Sequence, residues 1–266
     1  MLTTCCAGEP SGHGADDTGE TGRVRRGMRV SELSRRLGAG SVRAVVLVLP
    51  GGEAESRRPH LWLAEAFLWP LAGRIARRGR RHGLAVHVLR YRYRGWNGER
   101  ADPVVDASWA LAEVRRRYGP VPVGLVGHSL GGRVAVHVAG DARVAGVVLL
   151  GPWLEEADPV GQLRGRSVLI IHGARDRHTD PVMSYRFAVN ARRVGARVAR
   201  VELPRAGHVL LRQWRAWTTL TTDFVGAALI GGRLDPVMLG ALEAVGSGGL
   251  RVHLPRRRAR VLRRHR

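Results

Sequence analysis

An α/β architecture, with a mainly parallel central sheet of at least six strands and helices on both faces, is the fold class this sequence predicts. Three observations carry it. Continuous apolar runs rich in Val, Leu and Ile recur along the chain, and runs without polar alternation belong to strands buried on both faces. Stretches of helical periodicity separate them, which joins successive strands by crossovers and makes them parallel. Proline and glycine punctuate the boundaries between the two kinds of segment.

The elements follow in order. Val42–Leu49 is the first strand, and it ends in Pro50-Gly51-Gly52. Pro70 opens a helix that stops near Gly83, because proline suits a first turn and glycine an end. Leu84–Leu89 is the next strand. Asp102-Pro103 reads as a cap followed by proline, and the helix it starts runs through Tyr118 to Gly119-Pro120. Val121–Val126 is a strand and passes at once into Gly127-His128-Ser129-Leu130-Gly131-Gly132 and an apolar helix. Val144–Leu150 and Ser167–Ile171 are strands joined by the short segment Gly151–Arg166. A helix follows Asp180-Pro181, and Arg197–Leu203 is the last strand. A final helix places Leu210, Trp214, Trp217, Thr221 and Phe224 on one stripe. The expected domain spans residues 41–231. Residues 1–40 show no sustained period and read as a flexible extension. Residues 232–266, Gly-rich and then Arg-rich, read as a peripheral tail whose removal leaves every motif in place.

The chain has 266 residues and is 44% hydrophobic, which is enough for one sizeable core and excludes disorder throughout. No apolar run approaches the ~20 residues of a membrane span, and Met1 to Gly27 has no basic-then-apolar leader pattern. Cys5 and Cys6 are adjacent in a polar stretch, so they build neither a disulfide framework nor a metal site. These features point to a soluble, cytoplasmic protein. The net charge of +22 comes entirely from arginine, with no lysine. Together with the Ala, Gly and Val content, that reads as coding bias and solvated charge rather than a binding surface. The cluster from Arg256 to Arg266 is where a polyanion contact would lie.

The chemistry lies at the strand ends. Gly127-His128-Ser129-Leu130-Gly131 matches G-x-S-x-G, the strand-to-helix turn that lifts a serine hydroxyl above a parallel sheet. Small residues are needed because side chains two positions from the serine would collide within so sharp a turn. The helix that follows points its N-terminus at the site where an oxyanion would form. As a bare pattern the motif is weak; a buried strand before it and an apolar helix after it make it strong.

With those residues in place, Val123 to Gly132 resembles the elbow of the α/β-hydrolase superfamily, and the likeness covers about residues 43–230. It is nearest to small capless hydrolases of the dienelactone-hydrolase and carboxylesterase kind. The resemblance implies a triad in the order Ser, acid, His. His172-Gly173-Ala174-Arg175-Asp176 is similar to the family's acid loop, with Asp176 in the acid position, and Pro204-Arg205-Ala206-Gly207-His208 to its histidine loop. It implies Ser129 as nucleophile, His208 as base and Asp176 as the orienting acid. The oxyanion donors would be the N–H of Leu130 and, where many relatives have His-Gly-x, the N–H of Gly52. Hydrolysis of an ester or related acyl bond of a small molecule, through an acyl-serine, is the expected reaction.

Other readings stay open. Asp180, before a proline, is a helix cap or a second candidate acid, and Asp158 occupies the position some relatives use. His178 is a rival base. His172 reads as a structural residue at a strand end. Trp96, in a cluster with Arg92, Tyr93 and Arg94, and His128 inside the elbow are the expected substrate contacts; a solvated loop is the alternative for the first and packing for the second. No His, Cys and carboxylate cluster has metal-ligand spacing, and no G-x-G-x-x-G opens a helix after the first strand, so neither metal nor cofactor is inferred. Residues 152–166 are too few for a helical lid. Acyl transfer on the same triad and a non-catalytic binding protein are the competing functions.

Overall fold

The computed structural model describes residues 30–38, 40–59 and 65–253. The stretch Met1 to Gly27 and the arginine cluster from Arg256 lie outside the described residues. Among the described residues the sheet has eight strands: β1 Glu32–Leu33, β2 Ala44–Leu49, β3 Leu84–Arg90, β4 Val123–His128, β5 Val144–Leu150, β6 Ser167–Gly173, β7 Arg197–Leu203 and β8 Val252–His253. Their order across the sheet is β1-β3-β2-β4-β5-β6-β7-β8. All neighbours are parallel except β1, which runs antiparallel to β3. Six helices accompany them among the described residues: α1 Trp69–Gly79, α2 Asp102–Tyr118, α3 Leu130–Val138, α4 Pro181–Arg193, α5 Trp214–Ile230 and α6 Pro236–Glu243.

The period of two sorts the strand side chains onto two cores. Val45, Leu47 and Leu49 of β2 face α2, α3 and α4, whereas Ala44, Val46 and Val48 face α1, α5 and α6. Because both faces are covered, β2 and β4 are buried along their whole length. Each fully buried Leu or Val contributes about 1.5–3 kcal/mol. The β5–β6 connection holds only a single 3-10 turn, Gly161–Leu163, with no helical insertion, as its length requires.

The sheet reaches beyond residues 41 and 231 at both edges. Ser34 holds the N-terminal segment to β3. His87 Nδ1 donates to the Ser34 carbonyl at 2.8 Å, and Ser34 Oγ accepts the Val88 N–H at 2.9 Å. At the other edge α6 and β8 close the sheet. Met238, Ala241, Leu242 and Leu250 are buried there, and Val201 pairs with Val252. Both edges were illegible in sequence because β1 and β8 are two residues long, too short for an alternating pattern. One cap also differs from its sequence reading. Ala101, at φ 41°, precedes α2 as its cap, and Asp102 begins the helix. The Asp102 carboxylate accepts from Asn97 at 2.8 Å and Arg100 at 3.2 Å rather than from the helix backbone.

Candidate active site

Ser129 sits between β4 and α3 at φ 53° and ψ −120°, a backbone conformation that persists only where surrounding structure enforces it. Packing does so here. A Cβ on Gly127 would lie 2.1 Å from the Gly131 carbonyl oxygen, and one on Gly131 would lie 2.0 Å from that of Leu49. The Ser129 N–H donates to Leu150 on β5 at 3.0 Å, and the Ser129 carbonyl accepts from Trp153 at 3.0 Å. The elbow is therefore tied to the neighbouring strand and its loop.

Three residues from three loops meet above the sheet edge. Ser129 Oγ lies 3.0 Å from His208 Nε2. His208 Nδ1 lies 2.9 Å from Asp176 Oδ2. The carboxylate is fully buried. Its Oδ1 accepts the N–H groups of His178 at 2.9 Å and Thr179 at 3.1 Å, while Oδ2 also accepts the Thr179 hydroxyl at 2.8 Å. Burial pushes the Asp176 carboxyl up, but donation from His172, His208, Thr179 and His178 outweighs it and holds the group far below the usual carboxylate range. Asp176 is thus ionised. The hydrogen on His208 then belongs on Nδ1, which leaves Nε2 to accept from the serine hydroxyl.

The competing carboxylates lie elsewhere. Asp158 is buried against α3, where it accepts from Arg133 Nε at 2.8 Å and lies 3.0 Å from His137 Nε2. Asp180 accepts the Val182 N–H at 2.8 Å and caps α4. His178 stacks on the His208 ring, with centroids 5.1 Å apart, and is exposed.

A cavity of about 220 Å³ opens over Ser129 and His208, walled by Gly51, Gly52, Phe67 and His128 and by the Glu53–Arg94 ion pair. His128 packs between Phe67 and His208, at centroid distances of 4.6 and 4.8 Å. Burial, then the proximity of His208, pushes His128 down to about 3. A neutral imidazole beside the His208 carbonyl, 3.1 Å from its Nε2, must carry its hydrogen on Nε2. Trp96 is not brought to this cavity. It is buried, edge-on to His137 and Trp153, and the Arg133 guanidinium lies over both indoles, 4.2 Å from Trp96 and 4.8 Å from Trp153. An apolar ring next to a buried cation is held by packing and cation–π attraction, which sequence position after a strand does not reveal. Of its cluster, Arg94 reaches the cavity instead.

The loop after β2 approaches the elbow closely. A Cβ on Gly51 would lie 3.4 Å from Ser129 Cβ, and one on Gly52 would lie 2.2 Å from the Arg94 carbonyl and 3.2 Å from Leu130 Cδ1. Among the described residues, neither the Gly52 N–H nor the Leu130 N–H has a protein partner. Thr179 and His172, which also touch Asp176, were missed as site residues. A threonine and a strand-end histidine carry no spacing signal of their own. Among the described residues, no group of three or more His, Cys, Asp or Glu is placed to hold a metal ion, and no helix is long and apolar enough to cross a membrane.

Comparison with known proteins agrees with this architecture. A family model described as the alpha/beta hydrolase fold matches residues 44–166, from β2 past the elbow but short of Asp176 and His208. Solved structures share the fold at low identity. An alpha-beta serine hydrolase homologue from Coxiella burnetii is 17% identical at a TM-score of 0.51, covering 72% of this chain and 89% of its own. A cold-adapted esterase from an Arctic intertidal metagenomic library is 16% identical at 0.52, covering 72% and 84%. A Pyrococcus furiosus esterase is 15% identical at 0.51, covering 70% and 81%. No curated protein matches the sequence. With its strand order, the strained serine at the elbow and the family-model match over residues 44–166, the chain has the α/β-hydrolase fold.

Proposed function

We propose that this protein is a serine hydrolase that cleaves an ester or related acyl bond of a small molecule through an acyl-Ser129 intermediate. The observation that carries this reading is the unbroken hydrogen-bonded sequence Ser129–His208–Asp176 beneath an open cavity. In the first half-reaction His208 Nε2 takes the Ser129 proton as Oγ attacks the carbonyl carbon. It then returns that proton to the leaving group, and the same exchange activates water for deacylation. Asp176 fixes the tautomer and stabilises the imidazolium. The N–H groups of Leu130 and Gly52 receive the oxyanion, and His128 with Phe67 bounds the acyl group. Names of the structural neighbours that include esterases are consistent with this chemistry.

The test is covalent labelling by a fluorophosphonate, followed by turnover of a chromogenic ester series of graded acyl length. Wild-type protein is expected to take one label at Ser129 and to hydrolyse at least one ester. Ser129→Ala is expected to lose both while melting like the wild type. A Ser129→Ala variant that keeps wild-type turnover of every ester overturns the proposal.

A further inference from the structure

Behind Asp176 lies a second line of buried polar groups that the triad does not use. His172, at the end of β6, is fully buried, as are Ser184 on α4 and Arg200 on β7. Arg200 Nε donates to Ser184 Oγ at 3.1 Å, Ser184 Oγ lies 2.9 Å from His172 Nδ1, and His172 Nε2 lies 3.3 Å from Asp176 Oδ2.

The direction of these bonds follows from what each atom can accept. His172 Nε2 faces the Asp176 carboxylate and the Thr179 carbonyl, each at 3.3 Å, and both are acceptors only. Its third neighbour, the Thr179 hydroxyl, has a closer acceptor in Asp176 Oδ2 at 2.8 Å. Nε2 must therefore carry a hydrogen, since a bare lone pair there would face two others. On the other side of the ring, Ser184 Oγ also lies 2.9 Å from the Pro181 carbonyl. That carbonyl also receives Arg200 Nη2 at 2.9 Å, whereas Nδ1 of a neutral ring with its hydrogen on Nε2 can only accept and has Ser184 as its partner, so the serine hydrogen points at His172 Nδ1. A buried arginine is costly unless its donors are used. Here Nη1 is taken by Glu202 at 2.5 Å and the Leu250 carbonyl at 3.2 Å.

We propose that Arg200, Ser184 and His172 form a donor chain that ends on Asp176, making His172 a positioning residue for the triad carboxylate. The proposal rests on the hydrolase reading for its kinetic consequence but not for its physical one. In it, Asp176 Oδ2 is held between two imidazole N–H donors, His172 Nε2–H from behind and His208 Nδ1–H in front. A carboxylate turning away from His208 would also leave His172 Nε2–H, 3.3 Å away, whose other acceptor at that distance is the Thr179 carbonyl. The Arg200 charge polarises the chain in the direction that strengthens it.

Two readouts test this, one independent of turnover. In protein with ¹⁵N-labelled histidine, His172 is expected to carry its hydrogen on Nε2, and His208 to show a downfield Nδ1–H proton. In His172→Phe that proton is expected to move, and kcat to fall roughly ten- to a hundredfold, the usual cost of losing an orienting partner, with KM within about twofold. His172→Gln, which keeps an N–H toward Asp176, is expected to recover most of the loss. Should His172→Phe fail to fold, Ser184→Ala is expected to move the same proton in the same direction by less. A bare His172 Nε2 in the wild type, or an unmoved His208 proton with wild-type kcat in the variants, overturns the proposal. Wild-type protein that hydrolyses no ester refutes the hydrolase reading alone, and the two resonances still decide the chain.

Discussion

Ending the chain at Gly231 tests how far the fold depends on α6 and β8. The cut removes α6 and β8. Met238, Leu242 and Leu250 are each at most 4% exposed in the intact chain. At about 1.5–3 kcal/mol per buried side chain, their loss removes roughly 5–9 kcal/mol, an upper estimate because the unfolded chain already buries part of that area. The cut also strips the buried Arg200 of the Leu250 carbonyl and the half-buried Arg192 of the Ala241, Gly246 and Gly248 carbonyls, so each guanidinium loses partners. A whole domain is stable by only about 5–15 kcal/mol, so most of that margin is expected to vanish. The assay is urea unfolding of two chains, one ending at Gly231 and one at His253. The chain ending at His253 is expected to unfold at the full-length midpoint. The one ending at Gly231 is expected to be largely unfolded without urea. Equal midpoints for the two chains would refute the argument and return α6 and β8 to the periphery that the sequence implied.

Three further outcomes follow from the site. Asp176→Asn is expected to lower kcat by up to roughly 10⁴ with little change in melting; Asp180→Asn should cost about 1 kcal/mol of stability or less through its cap, and Asp158→Asn should destabilise by removing the buried counter-charge of Arg133. A kcat and melting comparison of the three separates these roles. Gly52→Ala forces a methyl against the Arg94 carbonyl, which would sit 2.2 Å away, so the loop must move; if Gly52 is an oxyanion donor, kcat is expected to fall by roughly 10²–10³, read against an unchanged labelling site. His128 is neutral in the fold, pushed down to about 3 from its ordinary 6.5. Between those values the unfolded chain binds the extra proton. His128 therefore makes stability fall as pH drops through that window, by up to about 1.4 kcal/mol per pH unit, with no penalty above it. Denaturant midpoints from pH 7 to 4 should slope less steeply in His128→Leu than in wild type, and parallel slopes would count against the assignment.

What the sequence determined alone is local. The buried strands were legible because β2 and β4 are covered on both faces, which keeps them apolar up to His128 at the end of β4. The elbow was legible because its constraints act over five residues. Gly127 and Gly131 are excluded from bearing side chains by backbone atoms of the turn itself and of β2. The cap at Asp180 is of the same kind, a carboxylate bonding an N–H two residues on. Tertiary structure decided the rest, because sheet pairing sets those contacts across long stretches of chain. Asp158 and Asp176 are both buried carboxylates beside histidines; only the packing of Asp158 under Arg133 and of Asp176 beneath His208 tells them apart. Trp96 follows a strand end, as a cleft residue would, yet Arg133 from α3 draws it into the core. The clamp on Arg200 joins residues about fifty positions apart, a separation over which no periodicity or spacing in the sequence carries information, because the pairing of β7 with β8 brings them together.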